Sequence, residues 1–143
     1  MSLWSSWQSW AVLSAIFAAL TAIFAKVGVE NVSSDLATFI RTIVVIVTLG
    51  SLLAATGQFQ SPGSISGRTY LFLVLSGLGT GASWLCYFRA LKIGEAAKVA
   101  PIDKLSVVLV ALFGVMFLGE KLSAPNWAGI ALIAAGAILV AYR

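Results

Sequence analysis

The sequence predicts an all-α membrane protein built from five transmembrane helices, and three observations carry that prediction. The chain has 143 residues, 60% of them hydrophobic and 10% charged, with a mean hydropathy of +1.01. A soluble domain of this length exposes too much surface to hide so many apolar side chains. Second, the apolar residues gather into stretches close to the ~17 to 25 residues that cross a bilayer. Third, stretches such as residues 43–49 and 107–118 lack the polar outer face that helices of a soluble bundle carry. Lipid cannot satisfy an open backbone, so spans of this kind are helical.

The first span is predicted over residues 7–25 and ends at Lys26. The second covers 36–55 and is followed by a polar stretch with Gly and Pro at 57–67. The third covers 70–91, the fourth 96–118 and the fifth 127–142, all within a single domain over 1–143. Connections this short make consecutive helices antiparallel neighbours. The first ten residues lack the positive segment of a cleaved signal peptide, so the first helix is expected to remain in the mature chain.

The charged residues exclude several classes of function. The net charge is +4, but no basic run or stripe tracks a phosphate backbone, so nucleic acid is not an expected partner. With one cysteine (Cys86) and no histidine, neither an intrachain disulfide nor a Cys/His metal site is expected. No serine sits in a nucleophile elbow. Gly77-Leu78-Gly79-Thr80-Gly81 falls inside an apolar span instead of a strand-to-helix turn, so it does not read as a dinucleotide loop. Neither an enzyme nor a cofactor is expected.

An odd number of spans places the termini on opposite sides of the membrane. Arg68 and Lys121 fall on one side, and Lys26, Arg89, Lys92, Lys98 and Arg143 on the other. Basic residues favour the cytoplasm, so the predicted topology in the inner (plasma) membrane is N-terminus out and C-terminus in. Trp4, Trp7, Trp10 and Trp127 then lie at the outer interface as anchors.

Polar residues on a membrane helix face protein or water. Thr38, Arg41, Val45, Thr48 and Leu52 form one stripe of the second helix; Ser14, Ala18, Thr21 and Ala25 form one on the first. Leu73, Gly77, Thr80, Trp84 and Tyr87 line up on the third, and Asp103, Ser106 and Val110 on the fourth. Together these stripes could surround a cavity. Gly77 and Gly81 have the G-x-x-x-G spacing of close helix packing, and the last helix, with Gly129, Ala135 and Gly136, reads as a packing or oligomerisation helix.

Arg41, Asp103 and Lys104 lie inside spans, about 8 to 11 Å from the cytoplasmic end. Adjacent helical residues do not face each other, so Arg41 is expected to pair with Asp103, and Lys104 to face the cavity or the headgroups. Basic residues at this depth also serve as snorkelling anchors that set topology. Pro101 removes a backbone donor and predicts a kink beside the charges.

The run from Trp84 to Ser123, WLCYFRALKIGEAAKVAPIDKLSVVLVALFGVMFLGEKLS, resembles the EamA domain of the drug/metabolite transporter superfamily. Ala90-Leu91, Val99-Ala100-Pro101 and Leu118-Gly119-Glu120-Lys121 carry the likeness, with Arg41 in Phe39-Ile40-Arg41-Thr42 as support. The resemblance covers nearly the whole chain. It implies a five-helix half-transporter, since larger members carry two such units in opposite orientations around a central cavity. A chain with one unit would work as a dimer, antiparallel by analogy. The charge count, two against five, points instead to a fixed orientation. Glu120 is expected to pin the loop after the fourth helix.

The resemblance and the stripes together predict a secondary transporter of a small metabolite, an amino-acid-like or organic-anion-like solute, working by alternating access. Its substrate-binding residues are expected among Arg41, Thr48, Trp84, Tyr87, Asp103, Lys104 and Ser106. Its expected partners are that solute, the lipid bilayer, and a second copy or another half-transporter. An exporter of lipophilic cations fits less well, because the first helix carries no acid and Glu30 falls in the loop beyond it. The alternative is a non-transporting subunit that assembles with or stabilises another membrane protein.

Overall fold

The computed structural model describes residues 6–142. They form α1 (Trp7–Gly28), α2 (Ser34–Thr56), α3 (Gly67–Ile93), α4 (Ala96–Asp103), α5 (Ser106–Leu118) and α6 (Ala124–Ala141), with a 3-10 turn at Pro62–Ser64. No strand occurs among the described residues. Five helical stretches are long and apolar enough to span a bilayer, with α4 and α5 together making one. Trp7 opens α1 and Trp127 lies in the first turn of α6, while Trp4 and Arg143 lie outside the described residues.

Helix ends follow local chemistry. The Ser33 hydroxyl accepts the Leu36 amide at 3.3 Å and so satisfies one of the orphan donors of α2. Asp35 adds negative charge to that first turn, where the helix dipole favours it. Gly57 ends α2 at φ 65°, a left-handed conformation that glycine adopts without a Cβ penalty, and Gln58 N–H donates to Leu53 C=O at 3.1 Å.

The chain divides into two compact units, Phe24–Lys92 on one hand and the chain up to Ile23 with Ile93 onward on the other. In the second of these, α6 packs against both α4 and α5. Gly114 and Ala137 are buried there, small residues of the kind that let helix backbones approach closely. Gly119 ends α5 at φ 68°, and the Glu120 amide donates to the Gly114 carbonyl at 3.1 Å. The Glu120 carboxylate folds back over Gly114, where a Cβ would meet Oε2 at 2.5 Å. Glu120 thus pins the turn after α5, and glycine at 114 leaves it room.

The kink predicted at Pro101 is a full interruption. Pro101 lacks the amide that would continue the ladder, and the chain tightens after it. Lys104, Leu105, Val107 and Val108 donate to carbonyls three residues back, at 2.9 to 3.1 Å. This 3-10 bonding separates α4 from α5.

In the unit Phe24–Lys92, the packed residues gather at one end. Ala25, Val29, Thr38, Phe88 and Leu91 are buried, with Val29 1% and Leu91 0% exposed. Lys26 Nζ donates to the Leu91 carbonyl at 2.8 Å, and Lys92 Nζ donates to the Val32 carbonyl. The end of α3 is thereby tied to the end of α1 and to the loop entering α2. Asp35 meets Arg89 and Arg41 meets Trp84, so α2 and α3 run antiparallel in that register.

Away from this end α3 is open. Residues 66–83 are all exposed, and a Cβ placed on Gly77, Gly79 or Gly81 would meet nothing within 4 Å. Among the described residues, no helix packs on the Gly77 and Gly81 spacing. Gly129 and Gly136 of α6 likewise have open space above them.

Candidate functional site

Arg41 enters the site from the second turn of α2. One turn before it, Thr38 is buried and returns its hydroxyl to the Ser34 carbonyl at 2.8 Å. That bond keeps a polar group satisfied at a tight point of the interface. From α3, Trp84, Tyr87, Phe88 and Leu91 present one face at the i, i+3, i+4, i+7 spacing, with Phe88 and Leu91 buried and the other two half-buried. The Arg41 guanidinium carbon sits 4.0 Å from the Trp84 ring centroid and 5.5 Å from that of Phe88. Both distances fall within the ~6 Å reach of a cation–π contact.

The magnitudes decide what this shelf can do. A cation–π contact contributes about 0.5 to 2 kcal/mol. Withdrawing a charge from water costs several kcal/mol. The rings orient the half-buried guanidinium without neutralising it. Among the described residues Arg41 makes no hydrogen bond or ion pair.

A second arginine at the same end is treated differently. Arg89 Nε donates to Asp35 Oδ1 at 3.0 Å and Nη2 to Oδ2 at 2.8 Å, a parallel pair of charge-assisted bonds. The side chains are 61% and 55% exposed, so water screens the pair and its part in stability is small.

The other residues predicted for the site have local partners. The Thr48 hydroxyl is exposed and donates to the Val44 carbonyl at 2.8 Å, and Ser106 is exposed at the start of α5. Lys104 Nζ lies 3.1 Å from Asp103 Oδ2, which corrects the expectation that these neighbours do not face each other. The rule holds for a regular helix, but α4 ends at Asp103 and the 3-10 turn takes Lys104 out of helical register. The sequence reading paired Arg41 with Asp103; the structure gives Arg41 two aromatic partners and Asp103 the adjacent ammonium.

Sequence reasoning missed Phe88 as a second ring beneath Arg41 and missed the Asp35–Arg89 pair. A usable signal existed for the pair. Asp35 opens the second helix, Arg89 nears the close of the third, and antiparallel neighbours bring those ends together. Counting only basic residues for topology left the acid out of view.

Five bilayer-length helices with a charged, aromatic-lined cluster define the chain as a multi-pass helical membrane protein in contact with lipid. It belongs to the EamA-like transporter family, which matches residues 5–142. A Sinorhizobium sp protein named "Uncharacterized transporter in cobO 3'region" is 67% identical over 136 residues, covering 95% of this chain and 96% of that protein. A Bacillus subtilis (strain 168) protein named "Uncharacterized transporter YxxF" is 27% identical over 135 residues, covering 94% of this chain but 42% of that protein. More than half of the Bacillus relative therefore lies outside the aligned part. No solved structure matches the chain.

Proposed function

We propose that this protein is a secondary transporter that moves a small metabolite, amino-acid-like or organic-anion-like, by alternating access as a dimer of five-helix units. The observation that carries the reading is Arg41, a guanidinium held within a span by two aromatic rings and with no acid partner among the described residues. A charge kept inside a membrane segment marks a substrate or ion path more often than it serves stability. Family membership points the same way, as do two relatives named as transporters. The dimer rests on length: one relative matches end to end, whereas the other is more than twice the aligned unit.

Two experiments test this. Replacing Ser14, Thr21, Thr48 and Thr80 together by Ala should leave assembly in the membrane intact and abolish solute movement in proteoliposomes. Unchanged biological activity in that variant would favour the non-transporting subunit. Single cysteines at Ser2 and Arg143 in a Cys86→Ala background, labelled from each side of inner-membrane vesicles, report orientation. Labelling of each site from both sides supports an antiparallel homodimer, and labelling of each from one side excludes it.

A further inference from the structure

We infer that Arg41, shelved on Trp84 and Phe88, anchors the carboxylate of the transported solute through two parallel N–H···O bonds. The inference rests on the transporter reading and deepens it by naming the group that is recognised.

Three observations lead there. First, the Arg41 guanidinium carbon lies over the Trp84 and Phe88 rings, and among the described residues Arg41 donates to no oxygen. A guanidinium carries five N–H donors, and those left unmatched away from water call for acceptors. Second, the same end of the same unit contains a worked example. Arg89 takes both oxygens of a carboxylate, Asp35, with Nε and Nη2. Arg41, like Arg68 over Phe72, has no such partner among the described residues, and of these two Arg41 is the half-buried one.

Third, the charge at Arg41 fits one carboxylate better than a phosphate. A phosphate monoester carries roughly −1.5 to −2 at neutral pH, which one guanidinium under-compensates. A carboxylate of charge −1 is matched by the +1 that Arg41 carries. The aromatic floor shields one side of the pair from water and strengthens it.

The test uses the full chain in phosphatidylcholine nanodiscs, with Trp4, Trp7, Trp10 and Trp127 replaced by Phe so that Trp84 is the sole indole. Its fluorescence is titrated with acetate, pyruvate and succinate, with their neutral amides, and with inorganic phosphate, at constant ionic strength. The expected result is a saturable change with the acids, none with the amides, and a weaker one with phosphate. Arg41→Gln should weaken the response about 30-fold or more, and Arg41→Lys about tenfold although the charge stays, because an ammonium cannot present the planar fork. If Arg41→Gln does not fold, Arg41→Lys alone carries the comparison.

Equal responses to acids and amides would overturn the inference, as would a preference for phosphate, an unchanged Arg41→Lys, or no response to any acid. A fluorescence change on repeating the measurement in phosphatidylglycerol nanodiscs, with none on adding any acid, would also overturn it and assign Arg41 to a lipid headgroup. Solute flux in proteoliposomes separates this inference from the reading beneath it. Acids that bind at Arg41 but never cross would sink the transporter and leave the anchor standing. Flux that survives Arg41→Gln unchanged would do the reverse.

Discussion

Arg41 and Arg89 sit on neighbouring helices of one unit, at the same end, and the protein treats them in opposite ways. Arg89 is exposed, faces an acid from its own chain, and is matched atom for atom. Arg41 is half-buried, rests on two rings, and meets no acid among the described residues. A side chain whose charge is answered locally needs no ligand to explain it. One half-buried within a span and only oriented by its surroundings is where a proposed ligand has a place. The difference makes Arg41, and not Arg89, the residue on which the proposed recognition rests.

That contrast can be broken or sharpened by mutation. The largest effect is expected at Leu91, in the packed end of the unit that carries both arginines. It is fully buried, so Leu91→Ala should cost about 2 to 4 kcal/mol, read as a fall in thermal stability in detergent. Because Lys26 bonds the Leu91 backbone, that hydrogen bond survives and the change isolates packing.

Next comes Arg41→Gln, which should lower solute uptake about 30- to 100-fold while leaving expression near normal. Arg89→Gln, made alongside, should change uptake less than about threefold. Equal losses in the two variants would erase the distinction.

Trp84→Leu removes the closer ring and should weaken apparent affinity about two- to fivefold, with Trp84→Phe milder because a π face remains. A loss as large as that of Arg41→Gln would show that Trp84 itself holds the solute.

The smallest effect belongs to the exposed pair. Asp35→Asn should lower stability slightly, and exchanging the two charges (Asp35→Arg with Arg89→Asp) should recover part of the loss. High salt should flatten both differences, since the pair is open to solvent.

The sequence by itself determined the helices. Five apolar stretches of bilayer length, one opened by Ser33, two closed by Gly57 and Gly119, and one interrupted after Pro101, follow from rules that act within a few residues. Arg41 and Trp84 were legible as candidates because a charge and an indole within apolar spans stand out against their neighbours. Their contact was not legible, and neither was Phe88, because helical periodicity gives each helix a face but not the angle or register at which faces meet. The same limit hid the choice of partner for Asp103. It depended on the chain tightening to 3-10 bonding at Lys104, which turned a neighbour in sequence into a neighbour in space. Only the tertiary structure decided which arginine received a carboxylate. Pairing across helices is set by how the whole end of the unit packs, and no spacing along one helix encodes that.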